Sequence, residues 1–290
     1  MFKGSMVALV TPFKDGKIDE KSLRDLVEWH ISAGTDVLVP CGTTGESATL
    51  SHEEHDRVIR IVVEQAKKRV KVLAGAGSNA TEEAIRLTRE AKKSGADGAL
   101  SITPYYNKPT QEGLYRHFKA IATAAGLPLV LYNVPSRTGV NMLPETVSRC
   151  AKIDNIVGIK EASGNLVQVL EILRQCGDNF DVISGEDALN FPIMACGGTG
   201  SISVTANVVP QEMAVLCDSF FAGDREKARF LHEKLLPLHE AMFFETNPIP
   251  VKTALGLMGK CSPEMRLPLC PMGEANLEKL KKVLKEHKIL

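Results

Sequence analysis

The chain has 290 residues, 44% of them hydrophobic and 24% charged, with 35 basic side chains balancing 35 acidic ones. A net charge of zero argues against a general nucleic-acid binder or a polybasic membrane protein, since both rely on a long-range positive field. No apolar stretch approaches the ~18 to 20 residues that cross a bilayer, and the run Met6 to Val10 meets Thr11, Pro12, Lys14 and Asp15 at once. The length suits either two domains or one large α/β barrel. Cys41, Cys150, Cys176, Cys196, Cys217, Cys261 and Cys270 include no C-x-x-C pair. Their odd number predicts reduced, mostly buried thiols, with no disulfide frame, no structural zinc and a cytoplasmic setting.

In chain order, short runs rich in Val, Ile, Leu and Ala begin near residues 6, 37, 70, 98, 128, 156, 181 and 199, separated by 31, 33, 28, 30, 28, 25 and 18 residues. The spacing suits one strand plus one crossover helix per unit, and the unbroken apolarity suits strands covered on both faces. Between the first two runs, Leu23, Leu26, Val27, His30 and Ile31 share one helical face. Ser51 and Glu54 form a capping box opening a helix through Val58, Ile59 and Val62, and Gly126 and Gly177 stand where helices need a left-handed C-terminal residue. After Gly223 the strand signals stop. Two stripes, Leu231/Leu235/Leu238 and Leu277/Leu280/Leu284, predict helices only. The expectation is an α/β fold, a (β/α)8 TIM barrel over residues 1–223 with a C-terminal helical appendage over residues 224–290.

In such barrels the reactive groups sit at the C-terminal ends of the strands. Lys160 ends the run Ile156 to Ile159. Burial disfavours the charged form of an amine, and a neutral amine can form a Schiff base with a carbonyl substrate. The other reading is a strand-end lysine that snorkels to solvent or pairs with a carboxylate. Tyr132, ending the preceding strand, offers a phenol for the proton transfers of imine chemistry, or is an interior aromatic with a satisfied hydroxyl. The turn Gly42-Thr43-Thr44-Gly45 is either an anion nest for a small carboxylate or a plain strand-to-helix turn. Arg137 either receives a second carboxylate in its planar fork or is an exposed loop arginine. Their convergence on one face favours a lyase acting on a small 2-oxo acid over a catalytically silent barrel with a binding role.

Two further patterns carry less. Gly75-Ala76-Gly77-Ser78-Asn79-Ala80 matches a dinucleotide fingerprint, but it lies in the third βα unit with no second mononucleotide half. His52 and His55, three apart at a helix start, suggest metal and a zinc aldolase as an alternative, yet no nearby Cys, Asp or Glu completes a convincing set, and a solvated helix face is the default.

With these residues in hand, the chain resembles the dihydrodipicolinate synthase family of pyruvate-dependent lyases. The resemblance spans nearly the whole chain and rests on Ala8 to Phe13, Gly42 to Glu46, Pro104 to Pro109, Tyr132 to Gly139, Gly158 to Ala162 and Glu245 to Pro248. It implies that Lys160 forms an imine with pyruvate, and that Tyr132, Thr43 and Tyr106 form a proton relay, with Tyr106 crossing from a neighbouring subunit. It also implies that Thr43 and Thr44 hold the pyruvate carboxylate, helped by Gly185 and the backbone of Ile202. Arg137 would bind the carboxylate of L-aspartate 4-semialdehyde. No metal or organic cofactor is implied, and the expected assembly is a homotetramer. Lysine-inhibited members bind the effector L-lysine at positions matching Ser47, Ala48, His52, His55, Asn79, Glu83 and Tyr105. The alternatives on the same barrel are an N-acetylneuraminate lyase or a 2-keto-3-deoxygluconate aldolase. Ser136 to Gly139 and Tyr105 to Asn107 favour the synthase.

Overall fold

A computed structural model describes residues Met1–Leu290. Every apolar run becomes a barrel strand: β1 (Gly4–Ala8), β2 (Val37–Val39), β3 (Lys71–Gly75), β4 (Gly98–Ile102), β5 (Leu129–Asn133), β6 (Ile156–Glu161), β7 (Asp181–Ser184) and β8 (Gly200–Ser203). All pair in parallel, and β1 closes the ring by bonding both β2 and β8. Closure removes both sheet edges, so each strand's register is fixed from two sides.

Most local signals act as expected. In the helix Glu20–Ser32, Leu23, Leu26, Val27 and His30 are buried. Ser51 and Glu54 complete a reciprocal capping box on the helix His52–Ala66. Gly126 ends the helix Gln111–Ala125 in the expected left-handed conformation, at φ 58° and ψ 37°, whereas Gly177 follows the helix Leu166–Cys176 at φ 72° and ψ -173°, an extended positive-φ conformation open to glycine but not the left-handed one expected. One element was not legible. Phe13–Lys14 and Lys17–Ile18 form an antiparallel hairpin around Asp15 (φ 52°) and Gly16 (φ 75°), the paired positive angles of a tight Asp-Gly turn. Two-residue strands are too short to show alternation.

Apolar side chains form two layers. Met6, Val37, Leu73, Leu100, Val130 and Ile183 fill the barrel, with Phe2 in the same cluster. A larger shell lies between the strands and the surrounding helices. Only Cys41, Cys150 and Cys217 are buried; Cys176, Cys196 and Cys261 are half-buried, and Cys270 is exposed. The expectation of mostly buried thiols is thus corrected. Cys270 lies in the irregular segment before the last helix, where Leu269 and Met272 rather than the thiol face the core.

Beyond Gly223 the chain forms the helices Arg225–Ala241, Ile249–Leu257 and Glu274–Glu286. A buried ion pair ties them to the barrel. Lys252 Nζ lies 2.6 Å from Glu46 Oε1, donates to the Thr11 carbonyl at 3.0 Å, and sits 4.4 Å from the Phe13 ring centroid. The other Glu46 oxygen accepts from the Arg266 N–H at 3.1 Å, while the Arg266 guanidinium grips both oxygens of Glu54 at 2.6 Å. Burial pushes the Lys252 ammonium below the usual lysine range, and Glu46 opposes that shift. Lys252→Met should therefore cost about 3 to 5 kcal/mol, because Glu46 is left buried and unpaired. The double variant Lys252→Met with Glu46→Gln should recover part of that loss in denaturant titrations.

Candidate active site

Parallel pairing sets Tyr132 on β5 directly beside Lys160 on β6, and Ile183 on β7 beside Lys160 from the other side. The lysine is 6% exposed, and its Nζ lies 4.4 Å from the Tyr132 ring centroid. Gly185, just past β7, makes this possible. A Cβ there would meet Lys160 Cε at 2.8 Å and Ala162 Cβ at 2.8 Å, so any side chain would displace the amine's stem.

The next residue, Glu161, belongs to a different environment. It is buried and accepts from the Ser163 N–H at 2.7 Å, Asn133 Nδ2 at 3.0 Å and Gln168 Nε2 at 3.3 Å. Burial pushes its carboxyl above the usual carboxylate range, and these hydrogen bonds pull it back. Asn133 and Glu161 are register partners, so the same bond fastens the ends of β5 and β6 that carry Tyr132 and Lys160.

Lys160 opens into a cavity of about 510 Å³ whose wall includes Thr43, Thr44, Tyr132, Arg137, Gly185 and Ile202. The structure thus brings together every substrate-site residue expected from sequence and all of the relay except Tyr106. Tyr106 is 91% exposed, at φ 71°, and does not line this cavity. Arg137 is not on an open loop but in a single helical turn, Pro135–Thr138. Its Nη2 donates to the Asn247 carbonyl at 3.3 Å, and Asn247 Nδ2 donates to Thr44 Oγ1 at 3.0 Å. Asn247 therefore bridges Thr44 and Arg137, and its own Oδ1 is buried without a partner. Sequence reasoning assigned no role to Asn247 or to Glu186, which also lines the cavity. Asn247 was visible only within the Glu245 to Pro248 marker.

A second cavity, of about 470 Å³, is lined by Ser47, Ala48, His52, His55, Glu83 and Tyr105. It shares Thr43, Arg137, Thr246 and Asn247 with the first as a common wall. Asn79 does not line it; its carbonyl accepts from Asn107 Nδ2 at 2.9 Å. Glu83 accepts from Ser78 and lies 2.9 Å from His52 Nε2, which together hold its carboxyl below the usual range. The His55 Nε2–H donates to the Gly75 carbonyl at 2.9 Å, and burial lowers the imidazole's affinity for a second proton. The histidine pair is thus engaged by separate partners, and no group of three or more His, Cys, Asp or Glu residues is arranged to hold a metal. Gly75 and Gly77 serve close packing between strand ends. A Cβ at Gly75 would lie 2.1 Å from the Cys41 carbonyl oxygen, and one at Gly77 would lie 2.4 Å from the Ile102 nitrogen.

The model of the dihydrodipicolinate synthetase family matches residues 1–287. The chain is 64% identical, over the full length of both, to a 4-hydroxy-tetrahydrodipicolinate synthase of Geotalea uraniireducens. Among solved structures, it superposes with a TM-score of 0.98 on the chloride-inhibited dihydrodipicolinate synthase of Acinetobacter baumannii complexed with pyruvate, at 50% identity and full coverage of both chains. It superposes with a TM-score of 0.96 on the Cyanidioschyzon merolae enzyme with lysine bound, at 41% identity, covering 100% of this chain and 99% of that one.

The Gly185 geometry gives a direct test of the site. Gly185→Ala should slow covalent trapping of a 2-oxo acid on Lys160 by ~10²-fold, the scale expected for misplacing a reacting atom by about 1 Å. Trapping under borohydride, followed by intact-protein mass, measures this, and circular dichroism checks that the barrel is retained.

Proposed function

The chain belongs to the dihydrodipicolinate synthetase family, and from that membership we propose how its own residues carry out the reaction. The activity is that of a lyase, a 4-hydroxy-tetrahydrodipicolinate synthase, which condenses pyruvate with L-aspartate 4-semialdehyde at the start of the diaminopimelate and lysine branch. The observation that carries the assignment of residues is the register that seats Lys160 between Tyr132 and the side-chain-free space at Gly185.

Lys160 Nζ attacks the carbonyl carbon of pyruvate, and loss of water gives the protonated imine. The imine is an electron sink, so a methyl proton too weakly acidic in free pyruvate is removed near neutral pH. Tyr132 is placed to move these protons, with Thr43 beside it. The Thr43-Thr44 turn and Gly185 receive the pyruvate carboxylate, with the backbone of Ile202 completing the cradle. The enamine then attacks the aldehyde, whose distant carboxylate is held by Arg137 across the cavity. Thr44 and Arg137 keep a fixed separation because both bond to Asn247.

Tyr106 completes the relay from another subunit. Its outward position in its own chain is consistent with that role and with a homotetramer whose subunits complete each other's sites. The second cavity is assigned to the effector L-lysine. Glu83 takes the ammonium, while Ser47, Ala48, His52, His55 and Tyr105 form the wall, of which Asn79 is not part. Because this cavity shares Thr43 and Arg137 with the first, an occupant there acts directly on residues of the substrate site.

Borohydride reduction in the presence of pyruvate should add a stable three-carbon mass to the peptide carrying Lys160, and an unmodified peptide would overturn the mechanism. An assay with pyruvate and aspartate semialdehyde should show turnover, and N-acetylneuraminate should not be cleaved. Arg137→Ala should still form the pyruvate adduct while losing kcat/KM for the aldehyde by ~10²-fold or more, consistent with breaking a charge pair worth about 2 to 5 kcal/mol. Parallel loss of both would assign Arg137 a structural role. Glu83→Ala should abolish inhibition by L-lysine. Wild-type rates flat to millimolar lysine would contradict the effector assignment.

A further inference from the structure

L-Aspartate 4-semialdehyde carries three polar groups, and the reading above, on which this inference rests, provides for only two: the aldehyde and the carboxylate. The third is an ammonium. Ring closure requires its nitrogen to attack the imine carbon, and a protonated nitrogen has no electron pair to do so. The site therefore needs a group that binds the ammonium and removes a proton from it.

Two acidic residues line the catalytic cavity, Glu186 and Glu245. Glu245 is engaged elsewhere: its Oε1 accepts from the Gly273 N–H at 3.0 Å and from Asn276 Nδ2 at 2.9 Å. The Glu186 carboxylate has no ion-pair partner. It follows Gly185 on the side of Lys160 opposite Tyr132, because β5, β6 and β7 lie in that order in the barrel. The reacting amine thus stands between a phenol on one neighbouring strand and a carboxylate at the end of the other.

Nearby charged groups set its basicity. Burial, then the like charge of Asp187, push the Glu186 carboxyl above the usual carboxylate range, against the Ala188 N–H and Lys160. Asp187 itself is fully buried and accepts from the Val204 and Thr205 N–H groups at 2.9 and 3.0 Å and from Asn190 Nδ2 at 2.9 Å. It is therefore committed to the backbone after β8 and is not available to substrate. Arg137 and Glu245 are the other charged residues lining the cavity besides Lys160.

We infer that Glu186 is the residue that receives the substrate's ammonium and acts as the base for ring closure. The Glu186 carboxylate takes one proton from the ammonium. The freed nitrogen pair forms a bond to the imine carbon as the C=N π pair moves onto Lys160 Nζ. A proton passes from the ring nitrogen to Nζ, the carbon–Nζ bond breaks with its pair going to Nζ, and the ring C=N bond forms. Lys160 leaves as the neutral amine, ready for the next pyruvate, and Glu186 returns its proton to solvent through the cavity mouth.

Glu186→Gln keeps the shape and removes the base, and Glu186→Asp retains a carboxylate on a shorter stem. In single turnovers with pyruvate and aspartate semialdehyde, Glu186→Gln should accumulate a linear adduct of both substrates on Lys160. This is read by intact mass after borohydride reduction, and product release should slow by ~10²-fold. The acidic limb of the kcat profile should be lost in Glu186→Gln and retained in Glu186→Asp. With succinate semialdehyde, which lacks the amine, wild type and Glu186→Gln should form the linear adduct at similar rates. Normal product release with an unchanged pH profile in Glu186→Gln would overturn the inference, as would equal slowing with succinate semialdehyde. Failure of wild type to trap pyruvate would instead overturn the Schiff-base reading beneath it.

Discussion

Closure of eight parallel strands is the constraint on which the site depends. In an open sheet a strand can slip by a residue at modest cost; in a closed ring a slip in one strand breaks the ladders on both sides and turns its side chains to the other face. The last two residues of β6 therefore point to opposite faces of the barrel wall, the penultimate one to the interior mouth and the last one away from it. Lys160 and Glu161 show both consequences. The amine faces a polar cavity with a phenol beside it, and the carboxylate is absorbed into a hydrogen-bonded cluster that fastens β5 to β6. Reversing them would leave a carboxylate where the proposed chemistry needs a nucleophile.

The helices after Gly223 complete this site. Lys252 and Arg266 converge on Glu46, at the end of the turn that carries Thr43 and Thr44, and Asn247 reaches from the same region to Thr44 and Arg137. The barrel supplies the proposed nucleophile, and the C-terminal segment fixes the spacing between Thr44 and Arg137, the groups proposed for the two substrate carboxylates. Because the net charge is zero, the proposed capture of two anionic substrates would depend on these local donors.

The sequence was most legible where one physical signal dominated. Continuous apolar runs marked all eight barrel strands, and the Ser51/Glu54 box marked a helix start to the residue. Lys160, Tyr132, Thr43, Thr44 and Arg137 were legible because a barrel confines reactive groups to strand ends. What was missed depends on distant partners. The Asp15-Gly16 hairpin is fastened by Glu264 and Arg266, about 250 residues later in the chain. Asn247 gains its role only when Thr44 and Arg137 come to meet it. Glu186 follows a glycine that had been noted, but a lone glutamate carries no local pattern, and only the strand order shows it flanking the lysine opposite Tyr132. Conversely, the glycines of the Gly75 to Ala80 pattern have a packing reason the sequence did not display, since a Cβ at Gly75 or Gly77 would collide with the backbone of a neighbouring strand end.

The central claim is that the nucleophile is Lys160 and that its neighbours in the barrel position the substrate. A crystal structure of the protein soaked with pyruvate tests it most directly. The expected result is continuous density from Lys160 Nζ to the second carbon of pyruvate, with the carboxylate on the Thr43-Thr44 turn and the methyl group open toward Arg137. Pyruvate bound without a covalent link, or attached to any other lysine, would contradict it.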